Sequence, residues 1–408
     1  MKITLTSKLL AIGIGFLFYS CHSEIPMVSL GIDDVYNVER MKKVLLHPEF
    51  PGKEYLWSMK DRAGNDSVIS IERDYIFLAY NPGEYIIKLQ IVDPENPVEH
   101  DIRFVVWEEQ VAYSRYITKV YDYCPAPGQF VNVLPKHNEG CTQDSMRIKA
   151  EDCLRGKNDI LVSLGGFGGY ITFGFDHTVA NILGEYDFKI LGNAFYAASN
   201  PNPQDSTSAG SSEPGIVMVS LDRNDNGIPD DEWYELAGSE YYKPKTKHNY
   251  TITYFKPDPN KKPTPIEDSP FIDTTYIYWE SNYHEKGYMI KNAYHLQDYY
   301  PKWLNSDKLV FTGTKLADNY VDESGNGSNY VQYPYDWGYV DNHPNEVENK
   351  SSFNIEWAVD KNGNKVHLIG VDFVRVYTGV NQECGWLGET STELLRAEDL
   401  HVKDATVH

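Results

Sequence analysis

Apolar and polar residues alternate along almost the whole chain, and that period predicts strands. Over residues 25–110 the runs "YLWSM", "DSVISI", "YIFLAY", "GEYIIKLQIVD" and "HDIRFVVW" repeat with a period of two and are parted by Pro, Gly, Asn and Asp, which make turns. A small β-sandwich is expected over residues 31–110. Past a join at residues 109–113, "GGFGGYITFGFDHT" (165–178) opens on glycines and then sets Tyr170, Thr172 and Gly174 against Ile171, Phe173 and Phe175, as a strand does. "YDFKILGNAF", "GIVMVSL", "EWYELAG", "NYTITYF", "TYIYWES", "SFNIEWAVD" and "KVHLIGVDFVRVYTG" carry strand-like runs onward, and helical periodicity surfaces only briefly near the C-terminus. The expected fold is therefore all-β: an immunoglobulin-like sandwich, then a larger jelly-roll-like β-sandwich domain with insertions over residues 111–408. The Gly cluster is no dinucleotide fingerprint, because its spacing fails and no helix follows. The Pro- and Asp-rich residues 256–270 read as a surface insertion.

One stretch breaks the alternation. In "DRNDNGIPDDEWYEL" (222–236), Asp222, Asn224 and Asn226 fall at positions one, three and five of an EF-hand loop, with Gly227 at the turn. Ile228 offers the backbone carbonyl of position seven and Asp230 takes position nine. Position twelve is Trp233 where an EF-hand has Glu, so Asp231 or Glu232 must close the shell. Oxygen donors without His or Cys point to calcium rather than zinc, and a loop joining two strands points to a structural ion. Asp176, His177, Asp187 and Glu213 lie at strand ends around this loop; they are expected to satisfy turn backbone rather than hold a second cation.

The N-terminus changes the picture of where the chain works. Lys2 and Lys8 form a basic start before "LLAIGIGFLF", an apolar run too short to cross a bilayer, and "FYSC" ends in Cys21. Residues 1–20 read as a lipoprotein signal peptide, Cys21 as the lipidated residue and 21–30 as a tether; no later stretch approaches a membrane span, so lipid is the expected anchor. A net charge of −22 argues against a nucleic-acid partner. The remaining cysteines, Cys124, Cys141, Cys153 and Cys384, show no CxxC spacing. In an oxidising envelope a Cys141–Cys153 disulfide is the expected pair, with free buried thiols the alternative.

Catalytic signatures are absent: there is no GxSxG, no HExxH, and no Cys in a convincing His context. Fifty-nine acidic residues leave a carboxylate-pair hydrolase open, since sequence does not give their separation. Binding has better candidates in a chain with 31 Tyr and 8 Trp. "YHLQDYYPKW" (294–303) contributes Tyr294, His295 and Trp303. "YVQYPYDWGYVDN" (330–342) contributes Tyr333, Tyr335, Asp336, Trp337 and Asn342. Rings of this kind stack on sugars or on a flat macrocycle while amides and carboxylates orient the ligand; the competing reading is that they fill the core. Tyr333, Tyr335 and Trp337 share one parity and would share one face of a strand.

Trp57 with "NPGEYIIKLQIVD" (81–93) resembles PKD-like domains. "DYCPAPGQFVN", "GYITFGFDHTVAN", "SEPGIVMVSLDRNDNGIPDDEWYELAGSEY", "WGYVDN", "FNIEWAVD" and "GVDFVRVYTG" together resemble the PKD-like cell-surface lipoproteins of Bacteroidetes, over most of the mature chain. This resemblance implies a lipid-anchored outer-membrane protein found beside nutrient importers of the vitamin B12 (corrinoid) type. It implies capture of a nutrient without reaction, a corrinoid first and a glycan second, with an outer-membrane transporter as partner. A protein-binding adhesin and a calcium-dependent hydrolase are the further alternatives. His295, or His343 beside Asn342, is then the candidate to approach a corrin cobalt. Only Glu24 follows the lipidated Cys in "CHSEIP", which leaves the surface and periplasmic faces both open.

Overall fold

The computed structural model describes residues 30–60, 64–93, 97–197 and 208–402; the signal peptide and Cys21 lie outside them, as does all of the tether except Leu30. Within those residues the chain is all-β apart from one α-helix and two short 3-10 turns.

The first part is a sandwich. Five strands pair in the order Val35–Glu39, Val98–Trp107, Gly83–Val92, Glu54–Lys60 and Asp66–Ser70, and the pair Val44–Leu46 and Tyr75–Phe77 packs against them. Alternation drives the packing: along Gly83–Val92, Ile87, Leu89 and Ile91 are buried while Lys88 and Gln90 face outward. Trp57 is wholly buried at the centre, and its indole N–H donates to the Glu72 carbonyl at 2.8 Å, so the ring is buried with its polar atom satisfied.

Beyond residue 110 the described residues form five sheets, three of which are the main layers. A six-stranded antiparallel sheet runs Ala358–Val359, Tyr234–Leu236, Gly215–Ser220, Gly370–Thr378, Tyr170–Ala180 and Lys119–Cys124. A three-stranded sheet of Ser352–Phe353, Phe188–Leu191 and Arg396–Asp399 shares its core, in which Phe173, Val217 and Val376 meet Phe188, Ile190 and Phe353. This is the expected double-sheet arrangement. A four-stranded sheet of Lys286–Asn292, Phe271–Ser281, Lys247–Phe255 and Lys308–Lys315 adds a layer whose own core holds Tyr250, Tyr254 and Tyr299, all fully buried. Much of the tyrosine content is therefore structural. Residues 256–270 form an exposed connection, as their composition predicts.

The helix is a departure from expectation. Gln143–Leu154 is an α-helix (α1). Thr142 caps it: its hydroxyl accepts from the Ser145 N–H at 3.2 Å, while the Ser145 hydroxyl accepts from the Thr142 N–H at 2.6 Å. Met146, Ala150, Cys153 and Leu154 form the buried stripe, spaced by four, three and one. The helix also removes the expected disulfide. At about 1.5 Å of rise per residue, α1 carries Cys153 roughly 15 Å along its axis from Cys141, whereas a bridge needs Cα atoms within about 7 Å. All four cysteines are free.

Candidate functional site

The strongest chemical feature is a set of carboxylates brought together from distant parts of the chain. Glu213 immediately precedes the strand Gly215–Ser220, and Asp341 follows Val340, which bridges to Gly215. Glu393 opens the short strand Glu393–Leu394, paired with Val162–Ser163. Hydrogen bonds lock these segments. The Glu213 N–H donates to the Asp341 carbonyl at 2.8 Å, and the Glu393 N–H to Asp341 Oδ2 at 3.0 Å. Asp341 Oδ1 accepts from the N–H groups of Asn193 and Ala194, both at 2.7 Å. Gly192 makes that approach possible, because a Cβ there would lie 2.3 Å from Asp341 Oδ1. One oxygen from each of Glu213, Asp341 and Glu393 lies within 4.8 Å of the others. Glu389 completes the group: its Oε1 accepts from the Gln129 N–H at 2.6 Å, while Oε2 has no partner although the residue is only 6% exposed.

Glu213, Glu389 and Glu393 floor a cavity of about 520 Å³ whose walls include Phe130, Phe195, Tyr330 and Trp386, with amides from Gln129 and Gln332. Burial, then repulsion from the neighbouring carboxylates, pushes the Glu213, Asp341 and Glu389 carboxyls far above the ordinary range. Burial likewise raises Glu393, against the opposing hydrogen bond from Ser391. Four carboxylates this close do not all ionise without a compensating proton or cation. The cavity can therefore accept hydrogen bonds from hydroxyl or ammonium groups, or hold a hard cation.

The sequence-predicted residues divide. Tyr294 is exposed at the rim, its ring 5.9 Å from that of Trp386, and His295 lines the acid-floored cavity with its ring edge-on to Phe130. Trp303 belongs to the core: it is buried, stacks on Tyr123 and His137, and donates from its indole to Gln143 at 2.9 Å. The shared face of Tyr333, Tyr335 and Trp337 does not exist, because their strand ends at Gln332. The Tyr333 hydroxyl donates to Glu323, that of Tyr335 to the Ala317 carbonyl, and the Trp337 ring packs 4.6 Å from Trp357. Asp336 pairs with Lys350 at 2.9 Å. Asn342 is fully buried and holds the Tyr335 backbone from both sides, and His343 spends both ring nitrogens on Tyr196, Tyr335 and Asp336. The candidates Tyr333, Tyr335, Asp336, Trp337 and Asn342 thus serve folding, whereas Tyr330 and Gln332 line the cavity and Asp341 belongs to the acid cluster.

In the 222–231 loop the oxygens of Asp222, Asn224 and Asn226 accept from the N–H groups of Asn226, Gly227 and Ile228 at 2.7 to 3.1 Å. Asp230 accepts from the Asn226 amide and Asp231 from the Arg223 N–H. Glu232 is engaged by the Tyr234 hydroxyl at 2.9 Å. The donor set is all oxygen and suits calcium, with Asp222, Asn224, Asn226, the Ile228 carbonyl, Asp230 and Asp231 as the residues that would hold it. Of the other expected turn residues, Asp187 satisfies the backbone of Ile182 and Ile355, and Asp176 that of Ser114. Glu213 does not serve a turn; it joins the buried acids. His177 sits buried between Asp176 and Asp399 at 2.8 and 2.7 Å.

A larger trough of about 860 Å³ lies beside the 256–270 insertion. Two of its lysines are already paired, Lys302 with Asp298 at 2.8 Å and Lys261 with Asp273 at 3.4 Å. Sequence reasoning missed Asp341, Glu389, Glu393 and Trp386; for the two glutamates the signal available was the run "GETSTE" (388–393), acids and hydroxyls directly before an apolar pair.

Fold and site together define an all-β protein with an acid-floored, ring-walled cavity. No family model and no curated protein matches the chain. Among solved structures, a SusE-like protein is 8% identical and aligns over 89% of this chain and 95% of its own, with a TM-score of 0.27; a likeness at that level carries no weight for the site. No helix among the described residues is long and apolar enough to cross a membrane.

Proposed function

We propose that this chain is a non-catalytic, lipid-anchored outer-membrane protein that captures a saccharide in the cavity lined by Glu213, Glu389 and Glu393, whose acid cluster Asp341 completes. The supporting observation is the pairing of those buried acceptors with Trp386 and Tyr330 at the walls: rings cover the C–H faces of a sugar while carboxylates accept from its hydroxyls. A binding role is favoured over hydrolysis by the spacing. Glycosidase carboxylates stand about 5–5.5 Å or 6.5–9.5 Å apart across the scissile bond, whereas one oxygen from each of Glu213, Asp341 and Glu393 lies within 4.8 Å of the others. The PKD-like module serves as the spacer, and calcium in the 222–231 loop as a brace.

A corrinoid is the second reading, favoured by the resemblance noted above and by His295. Burial lowers the pKa of that imidazole, keeping it neutral and able to bind a metal centre at the cavity edge. A glycan array followed by calorimetry on the hits, with cyanocobalamin titrated in parallel, tests both. Saccharide binding that falls by about tenfold or more in Trp386→Ala supports the first reading. Binding of cyanocobalamin alone overturns it in favour of the second, and silence in both assays removes both.

A further inference from the structure

We infer that Glu213, Asp341 and Glu393 form a second divalent-cation site, of the calcium class, separate from the 222–231 loop. Three carboxylate oxygens from three separate segments lie within 4.8 Å of one another. Ligand oxygens about 2.4 Å from a shared calcium stand at most about 4.8 Å apart, so the cluster already has the dimensions of a coordination shell. Glu389 supplies an independent sign. It lines the same cavity, it is 6% exposed, and its Oε2 has no hydrogen-bond partner. A buried carboxylate oxygen without a partner is costly unless something cationic or protic completes it.

The surroundings are those of a prepared shell. Asp341 is fixed by three backbone N–H groups, Glu393 Oε1 accepts from the Ser391 hydroxyl at 2.6 Å, and Glu213 Oε2 from the Ser211 hydroxyl at 3.3 Å. Such outer contacts orient first ligands and hold their lone pairs in place. Every side-chain donor in the cluster is oxygen, which selects calcium over zinc or copper. Glu213 is half-buried and faces the cavity, giving an ion its way in. An ion there keeps coordination positions open towards the cavity; that these would take vicinal hydroxyls of a sugar rests on the function proposed above, whereas the ion site itself does not.

The test reads the metal alone, without saccharide. Crystals of the full chain grown with manganese in place of calcium are expected to show an anomalous peak between Glu213, Asp341 and Glu393; no peak there overturns the assignment. In equilibrium dialysis with radioactive calcium, the Glu213→Gln/Glu393→Gln variant is expected to bind one ion fewer per chain than the parent, and an unchanged stoichiometry overturns it. Should that variant fail to fold, the anomalous map of the parent decides. A peak at the acid cluster together with a blank glycan array would keep the ion site and discard the saccharide.

Discussion

Trp303 and Trp386 show what a single side chain can and cannot disclose. Both are aromatic residues in polar, turn-rich segments, and the sequence offered Trp303 as a ligand contact; the structure buries it with a satisfied indole and leaves Trp386 on the cavity wall. Trp303→Ala is expected to cost about 3–5 kcal/mol of stability, whereas Trp386→Ala should leave the melting temperature nearly unchanged; thermal unfolding of the two side by side checks this. Glu235 carries a second prediction. Burial raises its carboxyl to about 7, against an opposing hydrogen bond from Thr314 at 2.7 Å. The folded state therefore holds this proton more tightly than the unfolded chain does. Its contribution is complete below the unfolded value near 4.5 and is lost as pH rises to about 7. Glu235→Gln should raise the melting temperature at pH 8 and change it little at pH 4. An equal effect at both would show that Glu235 is not protonated in the fold.

At the level of elements, strands were readable and the site was not. Period-two alternation reports which face of a segment is buried, so Gly83–Val92 could be located from residue order alone, and the continuous apolar run of Gly215–Ser220 marked a strand buried on both faces. The strand Tyr170–Ala180 is buried on both faces because Ile171, Phe173 and Phe175 pack into the core shared with the three-stranded sheet while Tyr170 packs against the core of the added layer, so its alternation marks two different interiors rather than inside and outside. α1 escaped notice because its apolar stripe is narrow and two of its four buried residues are Ala and Cys. The acid cluster escaped for a different reason: residues 213, 341, 389 and 393 meet through bridges between distant segments, which no local period encodes. Gly192 is the local device that lets them meet. Gly192→Ala places a methyl group 2.3 Å from Asp341 Oδ1 and is expected to cost about 1–3 kcal/mol and to abolish ligand binding, measured by melting and calorimetry together. The EF-hand-like loop was visible because its ligands are consecutive in sequence. If it holds calcium, chelator should lower the melting temperature of the parent more than that of an Asp222→Ala/Asn226→Ala variant.

Over the whole molecule, the two parts are held together by few, well-placed contacts. Lys43, from the N-terminal sandwich, donates to the Asp222 carbonyl at 2.7 Å and pairs with Asp372 at 2.9 Å. Asp372 is buried enough that burial raises its pKa despite Lys43, so deleting the lysine strands an acid in the junction. Lys43→Ala is expected to cost about 3 kcal/mol and to speed proteolytic cutting near residues 108–114, with ligand affinity unchanged; cleavage at the parental rate would show the junction held elsewhere.

Asp222 belongs to the junction and to the loop at once, its backbone gripped by Lys43 and its carboxylate closing the loop's turn through Asn226 and Gly227. Besides the covalent join and the Tyr80 hydroxyl on the His401 carbonyl, force applied at the N-terminal end therefore enters the larger part through that loop and through Asp372 into the middle of the six-stranded sheet. The sheet is the stiff member of the pair and the loop the compliant one. Under a steady pull the loop, closed by side-chain hydrogen bonds, is expected to yield before the paired strands of the sheet.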